Sequence, residues 1–245
     1  MLCNGPAVAE WPLYSIILMK VRDYMKIENN IIKHYLKNVY FITGTAYAGK
    51  STMVRMLAER YDMIQCGENY HSKVSDVVAD VEHQPNISYF ETMSGWQEFV
   101  SRTPQDYGAW TKGTSQEAAE FEIAELIQLS QLGKKIIVDT NISLELLHEI
   151  ADYHQVAVML SPQSMSVERF FDREDPEKQF LLRVLEGMED PESALENWRQ
   201  CIALVNSPET YETYANSGFF TLYRQDTEKD TREEVLKKLA EHFGL

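Results

Sequence analysis

From Asn38 onward the chain alternates short apolar runs with amphipathic ones. "NVYFIT" (38–43), "YDMIQC" (61–66), "KKIIVD" (134–139), "QVAVMLS" (155–161) and "GFFTLYR" (218–224) carry the β-branched, aromatic and aliphatic residues of buried strands. Helical periods lie between them. Met53, Met56 and Leu57 recur at three- and four-residue spacing over 50–60. Ala119, Ile123, Leu126 and Ile127 share one face over 115–132, and Gly133 then ends that helix as a C-cap glycine does. A helix over 143–152, a charged helical stretch over 164–206 and a closing amphipathic helix "TREEVLKKLAEHF" complete the series. The charged stretch is interrupted near Asp175-Pro176 and Asp190-Pro191. Such alternation predicts an α/β fold, a five-stranded parallel sheet with helices on both faces. Residues 67–113 read as an irregular, aromatic-rich insert on the substrate side. Residues 172–192 read as a lid, within a domain spanning 38–245. Residues 1–37 read as an N-terminal extension. Either it adds a helix at "IENNIIKHYLK", or the start lies later, at Met19 or Met25.

The first strand runs into "FITGTAYAGKST", which spells G-x-x-x-x-G-K-[ST], the phosphate-binding loop of the P-loop NTPase fold. Gly44 and Gly49 open backbone conformations closed to residues with a Cβ. The N–H groups of Thr45, Ala46, Tyr47, Ala48 and Gly49 can then converge on an anion, reinforced by the N-terminus of the following helix. Lys50 reaches toward the β- and γ-phosphates, Ser51 offers a hydroxyl to Mg²⁺, and Thr52 a second hydroxyl nearby.

Charge narrows the partner. Thirty-eight acidic against twenty-three basic side chains give a net charge of −15, a field that repels a phosphate polymer. A small-molecule acceptor is expected rather than nucleic acid, on a monomer or homodimer. Cys3, Cys66 and Cys201 are scattered, without C-x-x-C spacing, as in a reducing cytoplasm and without a zinc site. The apolar run "WPLYSIILM" is too short to span a bilayer and lacks the flanks of a signal peptide.

Two further stretches bear on what becomes of the phosphate. "KKIIVD" ends in Asp139, at the strand edge where parallel sheets bind ligands, so Asp139 is a candidate partner of Mg²⁺. The alternative is a turn or helix-capping role. Thr140 follows, where motor ATPases place a water-activating Glu, and neither an N-K-x-D nor an "LSGGQ"-like sequence occurs. In "SVERFFDREDPEKQFLLR", Arg169 and Arg173 sit four apart on one helix face and can clamp a transferring phosphoryl group. Alternatively they pair locally with Asp172, Glu174 and Asp175 on a solvated helix. Arg183, beyond the acidic segment, is a further candidate on the substrate side.

Together the loop, the Asp139 strand and the arginine pair resemble the P-loop small-molecule and nucleotide kinases, of the adenylate, shikimate and gluconate kinase type. "VDTN" is also similar to a motif of polynucleotide-kinase-like P-loop kinases. The resemblance implies an ATP- and Mg²⁺-dependent phosphotransferase, with Lys50, Asp139, Glu68 and Arg173 as its catalytic groups. Arg169 would stack on adenine and Arg173 would touch phosphate. Arg224, with Asp226 and Thr227, would border the base. The acceptor region departs from the pattern: where shikimate-type kinases carry an Asp, this chain has "CGENYHSK". Glu68 is the candidate carboxylate there, with His71 or Lys73 to hold an anionic acceptor. The rival readings are a nucleotide-binding regulatory module and a slow P-loop NTPase.

Overall fold

The computed structural model describes residues 27–172, 176–225 and 229–245. Five strands form one sheet: β1 (Val39–Gly44), β2 (Ile64–Cys66), β3 (Ile136–Asp139), β4 (Val156–Leu160) and β5 (Phe220–Tyr223). All pairings are parallel, in the order β2-β3-β1-β4-β5. The central strand β1 places Ile42 opposite Asp139 of β3 and Gly44 opposite Met159 of β4. The chain leaves β1 toward β2 and β3 on one side, then crosses to β4 and β5 on the other. The C-terminal end of β1 is therefore the switch point, where such sheets open a crevice.

Strand side chains alternate between faces. Val39 and Phe41 join Ile136, Val138, Val156 and Val158 in one core. It is covered by α1 (Asn29–Tyr35), α6 (Pro104–Ser130), α7 (Leu144–Ile150) and α11 (Pro208–Ala215). Tyr40, Ile42, Ile137 and Met159 join the opposite core under α2 (Lys50–Tyr61) and α12 (Arg232–Phe243), which contribute Val54, Leu57, Leu239 and Phe243. Helices thus lie on both faces, as the alternation predicts. The expected boundary at Asn38 does not isolate what precedes it. Ile32 and Leu36 are buried in the first core, and Gln155 Nε2 donates to the carbonyls of Leu36 (2.8 Å) and Val39 (2.7 Å).

Residues 67–113 are not irregular. They hold α3 (Ser72–Val78), α4 (Tyr89–Thr92), α5 (Trp96–Val100) and the first turns of α6. The helix expected over 115–132 begins at Pro104, where Thr103 Oγ1 caps it by accepting from the Asp106 N–H at 3.1 Å. Gly108 and Gly113 concealed those turns, because glycine disfavours a helix. Packing accounts for Gly113: a Cβ there would stand 2.5 Å from the Asn86 side chain.

A third core lies above the crevice. Phe99, Val100, Leu185, Trp198 and Ile202 are buried against Tyr107, Trp110, Phe170 and Leu181. It unites α5 and α6 with α8 (Gln163–Glu168), α9 (Pro176–Glu186) and α10 (Pro191–Val205). Helices from 96–130 and from 163–205, separate in sequence, therefore share one helical layer. The Arg102 guanidinium lies 3.9 Å from the Tyr89 ring centroid and closes its edge.

Trp198 is central to this layer, touching Phe99 and Tyr107 edge-on or tilted. Trp198→Ala should cost about 3–5 kcal/mol, read as a shift of the urea unfolding midpoint. A loss below about 1 kcal/mol would show that these helices do not form a core of their own.

Candidate active site

The loop between β1 and α2 is pressed against β4. Gly44 has φ +127°, and a Cβ there would stand 2.0 Å from the Met159 carbonyl oxygen, so only glycine fits. The Thr45 N–H donates to that same oxygen at 3.0 Å. Ser161, just past β4, holds the loop from below. Its Oγ donates to the Ala46 carbonyl (2.5 Å), and its N–H donates to Thr45 Oγ1 (2.8 Å). Gly49, at φ +92°, starts α2 without a side-chain cap, which leaves the first N–H groups of the helix for an anion. Tyr47 adopts φ +66°, uncommon for a residue with a side chain. Its hydroxyl reaches the carbonyls of Arg169 (2.5 Å) and Phe170 (2.9 Å), tying the loop to the end of α8.

Three side chains converge at the crevice. Lys50 Nζ donates to the Thr45 carbonyl at 3.3 Å and stands 4.0 Å from Asp139 Oδ1. Ser51 Oγ donates to Asp139 Oδ2 at 3.0 Å. Asp139 is only 2% exposed, and that burial raises its carboxyl above the ordinary range. Lys50 and Ser51 pull it back down, while Glu68 adds to the rise. Among the described residues no group of three or more His, Cys, Asp or Glu side chains gathers to hold a metal ion. A divalent ion here would therefore complete its shell with phosphate oxygens and water, as Mg²⁺ does in phosphate sites. The hydroxyl–carboxylate pair of Ser51 and Asp139 fits that role.

Three cavities adjoin this centre. One of 630 Å³ lies between the start of α2, the end of β5 and α12, with Ala48, Gly49, Thr52, Met159 and Arg224 in its wall. The Arg224 guanidinium donates to the Tyr47 carbonyl, and its backbone N–H donates to Leu160 O at 2.7 Å. A small cavity of 130 Å³ sits over the loop itself, walled by Lys50, Ser51, Thr52, Glu68 and Lys178. The third, 1200 Å³, runs from Lys50, Glu68 and Asp139 along α6 to the start of α11.

Glu68 therefore shares two cavities with Lys50. Other expected site residues lie elsewhere. His71 is buried, its Nδ1 3.9 Å from Glu122 Oε1 and without a hydrogen-bond partner, and burial lowers its pKa. Lys73 is exposed on α3, and Arg183 is exposed on α9, both outside the walls of the three cavities. Arg169 is exposed just past α8, also outside those walls. Arg173, Asp226 and Thr227 lie outside the described residues.

Two residues enter that the sequence reading missed. Lys178, on α9, stands over the loop with its Nζ 5.0 Å from the centroids of both Tyr47 and Phe170. Glu122, on α6, is wholly buried beneath the turn after β3. It accepts from Thr140 Oγ1 (2.6 Å), from the Asn141 N–H (3.1 and 3.2 Å) and from Asn141 Nδ2 (2.8 Å). Asn141 Nδ2 also reaches the Glu68 carbonyl at 3.4 Å. Glu122 thus ties the end of β3 to the Glu68 turn. Its signal was present: Ala118, Glu122 and Leu126 share one buried stripe, where a carboxylate needs partners.

No family model matches this sequence, and no curated protein matches it. Among solved structures the chain is similar to "Dephospho-CoA kinase from Campylobacter jejuni", with 16% identity and a TM-score of 0.41, covering 84% of this chain and 98% of that one.

Burial pushes the Glu122 carboxyl up to about 7, with the Thr140 and Asn141 hydrogen bonds offsetting part of the rise. Between its ordinary value of 4.5 and about 7, the folded state binds more protons than the unfolded chain. The Glu122 contribution to stability must therefore fall as pH rises through that window, by at most about 1.4 kcal/mol per pH unit. Urea midpoints at pH 5 and pH 8 should show wild type losing stability relative to Glu122→Gln. A difference between the two proteins that does not change with pH would contradict this.

Proposed function

We propose that this chain is an ATP- and Mg²⁺-dependent phosphotransferase acting on a small-molecule acceptor. The observation that carries the reading is the double exposure of Lys50 and Glu68. Both stand in the wall of the phosphate-sized cavity and in the wall of the 1200 Å³ cleft beyond it. A phosphoryl group on the loop would face the 630 Å³ base-side cavity behind and the cleft in front. A module that only binds nucleotide needs no such cleft. Motor ATPases place a water-activating Glu beside this Asp, where this chain has Thr140, which disfavours hydrolysis.

In this reading ATP lays its base in the cavity bordered by Arg224 and its phosphates on the loop. Lys50, the loop amides and the start of α2 hold the β- and γ-phosphates. Ser51 would ligate Mg²⁺, and Asp139 would hold it directly or through water. When bound, the ion supplies charge neutralisation on the phosphoryl oxygens. Glu68 orients the acceptor hydroxyl and takes its proton as the acceptor oxygen bonds to the γ-phosphorus and the bond to ADP breaks. Lys178 adds positive charge over the loop, a part that the sequence also gives to Arg169 and Arg173. Closure expels water and so limits wasteful hydrolysis. Cys66 and Cys201 are free and buried, and no helix among the described residues is long and apolar enough to cross a membrane.

Mg-ATP at about 100 times its dissociation constant should stabilise the protein by about 2.7 kcal/mol. Lys50→Ala should remove most of that shift, read by thermal unfolding with and without nucleotide. No shift in wild type at millimolar nucleotide would overturn the reading. Glu68→Gln should leave the shift intact but lower acceptor-dependent ADP release by ~10²–10⁴-fold, as for a lost general base. An unchanged rate would remove Glu68 from the chemistry.

A further inference from the structure

The 1200 Å³ cleft has a wall whose chemistry bears on the acceptor. One face of α6 runs its whole length: Gln105, Gly108, Lys112, Gln116, Ala119 and Ile123 recur at three- and four-residue spacing. At 1.5 Å rise per residue this face is about 27 Å long. At Gly108 this face packs closely against α10, which bounds the cleft there. A Cβ at Gly108 would already stand 3.3 Å from Leu204 Cδ2 on the opposite wall. The cleft is thus elongated, with its inner end at Glu68 and Asp139.

The wall is rich in hydroxyl and amide groups and poor in cations. Thr111, Ser115, Asn141, Ser143, Ser207 and Thr210 line it beside the two glutamines. The side chains of Gln105, Ser115 and Gln116 have no hydrogen-bond partner among the described residues, so their donors and acceptors are open to a ligand. Among the described residues neither arginine nor histidine is in the wall. Its two lysines are Lys50, which serves the nucleotide phosphates, and Lys112. Glu145, also in the wall, has its carboxyl held below the ordinary range, first by backbone and Ser143 hydrogen bonds, with Lys112 adding to them. Glu68, Glu120 and Glu209 bring further negative charge. An acceptor bearing phosphate or carboxylate would meet these groups, beside a nucleotide triphosphate, with no guanidinium among the described wall residues to pair with. Neutral hydroxyl groups would instead find paired donors and acceptors along α6.

We infer that the acceptor is a polyhydroxylated molecule without phosphate or carboxylate, lying extended along α6 with one hydroxyl at Glu68. This rests on the phosphotransferase reading and replaces the anionic acceptor expected from His71 and Lys73. No residue beyond those in the cleft wall is required for it.

The test uses the full chain and Mg-ATP. ADP release is measured with glycerol, a hexose, inositol and a nucleoside, and with the monophosphate or carboxylate counterpart of each. A neutral member should stimulate release at least tenfold, and its charged counterpart should not. Gln105→Ala and Gln116→Ala, mild substitutions on α6, should each raise the KM for that member about three- to tenfold with little change in kcat. Ser115→Phe should abolish the stimulation by filling the cleft, while the thermal shift with Mg-ATP persists. Preference for a charged counterpart would overturn the acceptor class and leave the phosphotransferase reading standing. Stimulation untouched by all three variants would move the acceptor out of this cleft and overturn the proposal. If no member, neutral or charged, stimulates release, the phosphotransferase reading falls, and the acceptor class with it.

Discussion

A carboxylate buried at the C-terminal end of β3 is the constraint on which the rest of this site depends. Asp139 sits on a strand with apolar neighbours on both faces, and removing its charge from water costs several kcal/mol before any pairing. The protein offsets that cost only in part, with one hydroxyl at 3.0 Å and one ammonium at 4.0 Å. Such a group is poised to gain from any further positive charge that arrives. The parallel topology decides where that happens. Since every strand points the same way, the loop after β1, Asp139 of β3 and Ser161 after β4 all emerge on one edge. The close approach of Gly44 to Met159 then brings Lys50 and Ser51 to the carboxylate.

The long helix α6 holds this carboxylate's surroundings in place. Through Glu122 it grips Thr140 and Asn141, the residues that follow the buried carboxylate. Through its N-terminal half it joins the aromatic core around Trp198 and walls the large cleft. One element therefore touches the strand that carries Asp139, the Glu68 turn and the helical layer that bears Lys178. A shift of the helical layer against the sheet would be felt at all three.

Sequence patterns made the local parts of this arrangement legible. The five apolar runs became the five strands, because a sheet covered on both faces demands that composition. The spacing of Gly44, Gly49, Lys50 and Ser51 named the loop, because its conformation depends on glycine at fixed offsets. Contacts far apart in sequence were not legible. Glu122 meets Thr140 only through the fold, and Lys178 rather than Arg169 stands over the loop because Tyr47 fixes the end of α8. The first turns of α6 were hidden by glycines kept for close packing, not for flexibility. His71 looked like an anion ligand by position, yet its side chain turns inward toward Glu122.

The central claim is that Asp139 and Ser51 complete a divalent-metal site only together with a nucleotide on the loop. Electron paramagnetic resonance of Mn²⁺ tests it directly, with a non-hydrolysable ATP analogue added or withheld. Wild type should bind Mn²⁺ tightly only in the presence of the analogue, and Asp139→Asn should weaken that ternary binding at least tenfold. Equal Mn²⁺ binding with and without the analogue, or an Asp139→Asn variant that binds as wild type does, would contradict the account.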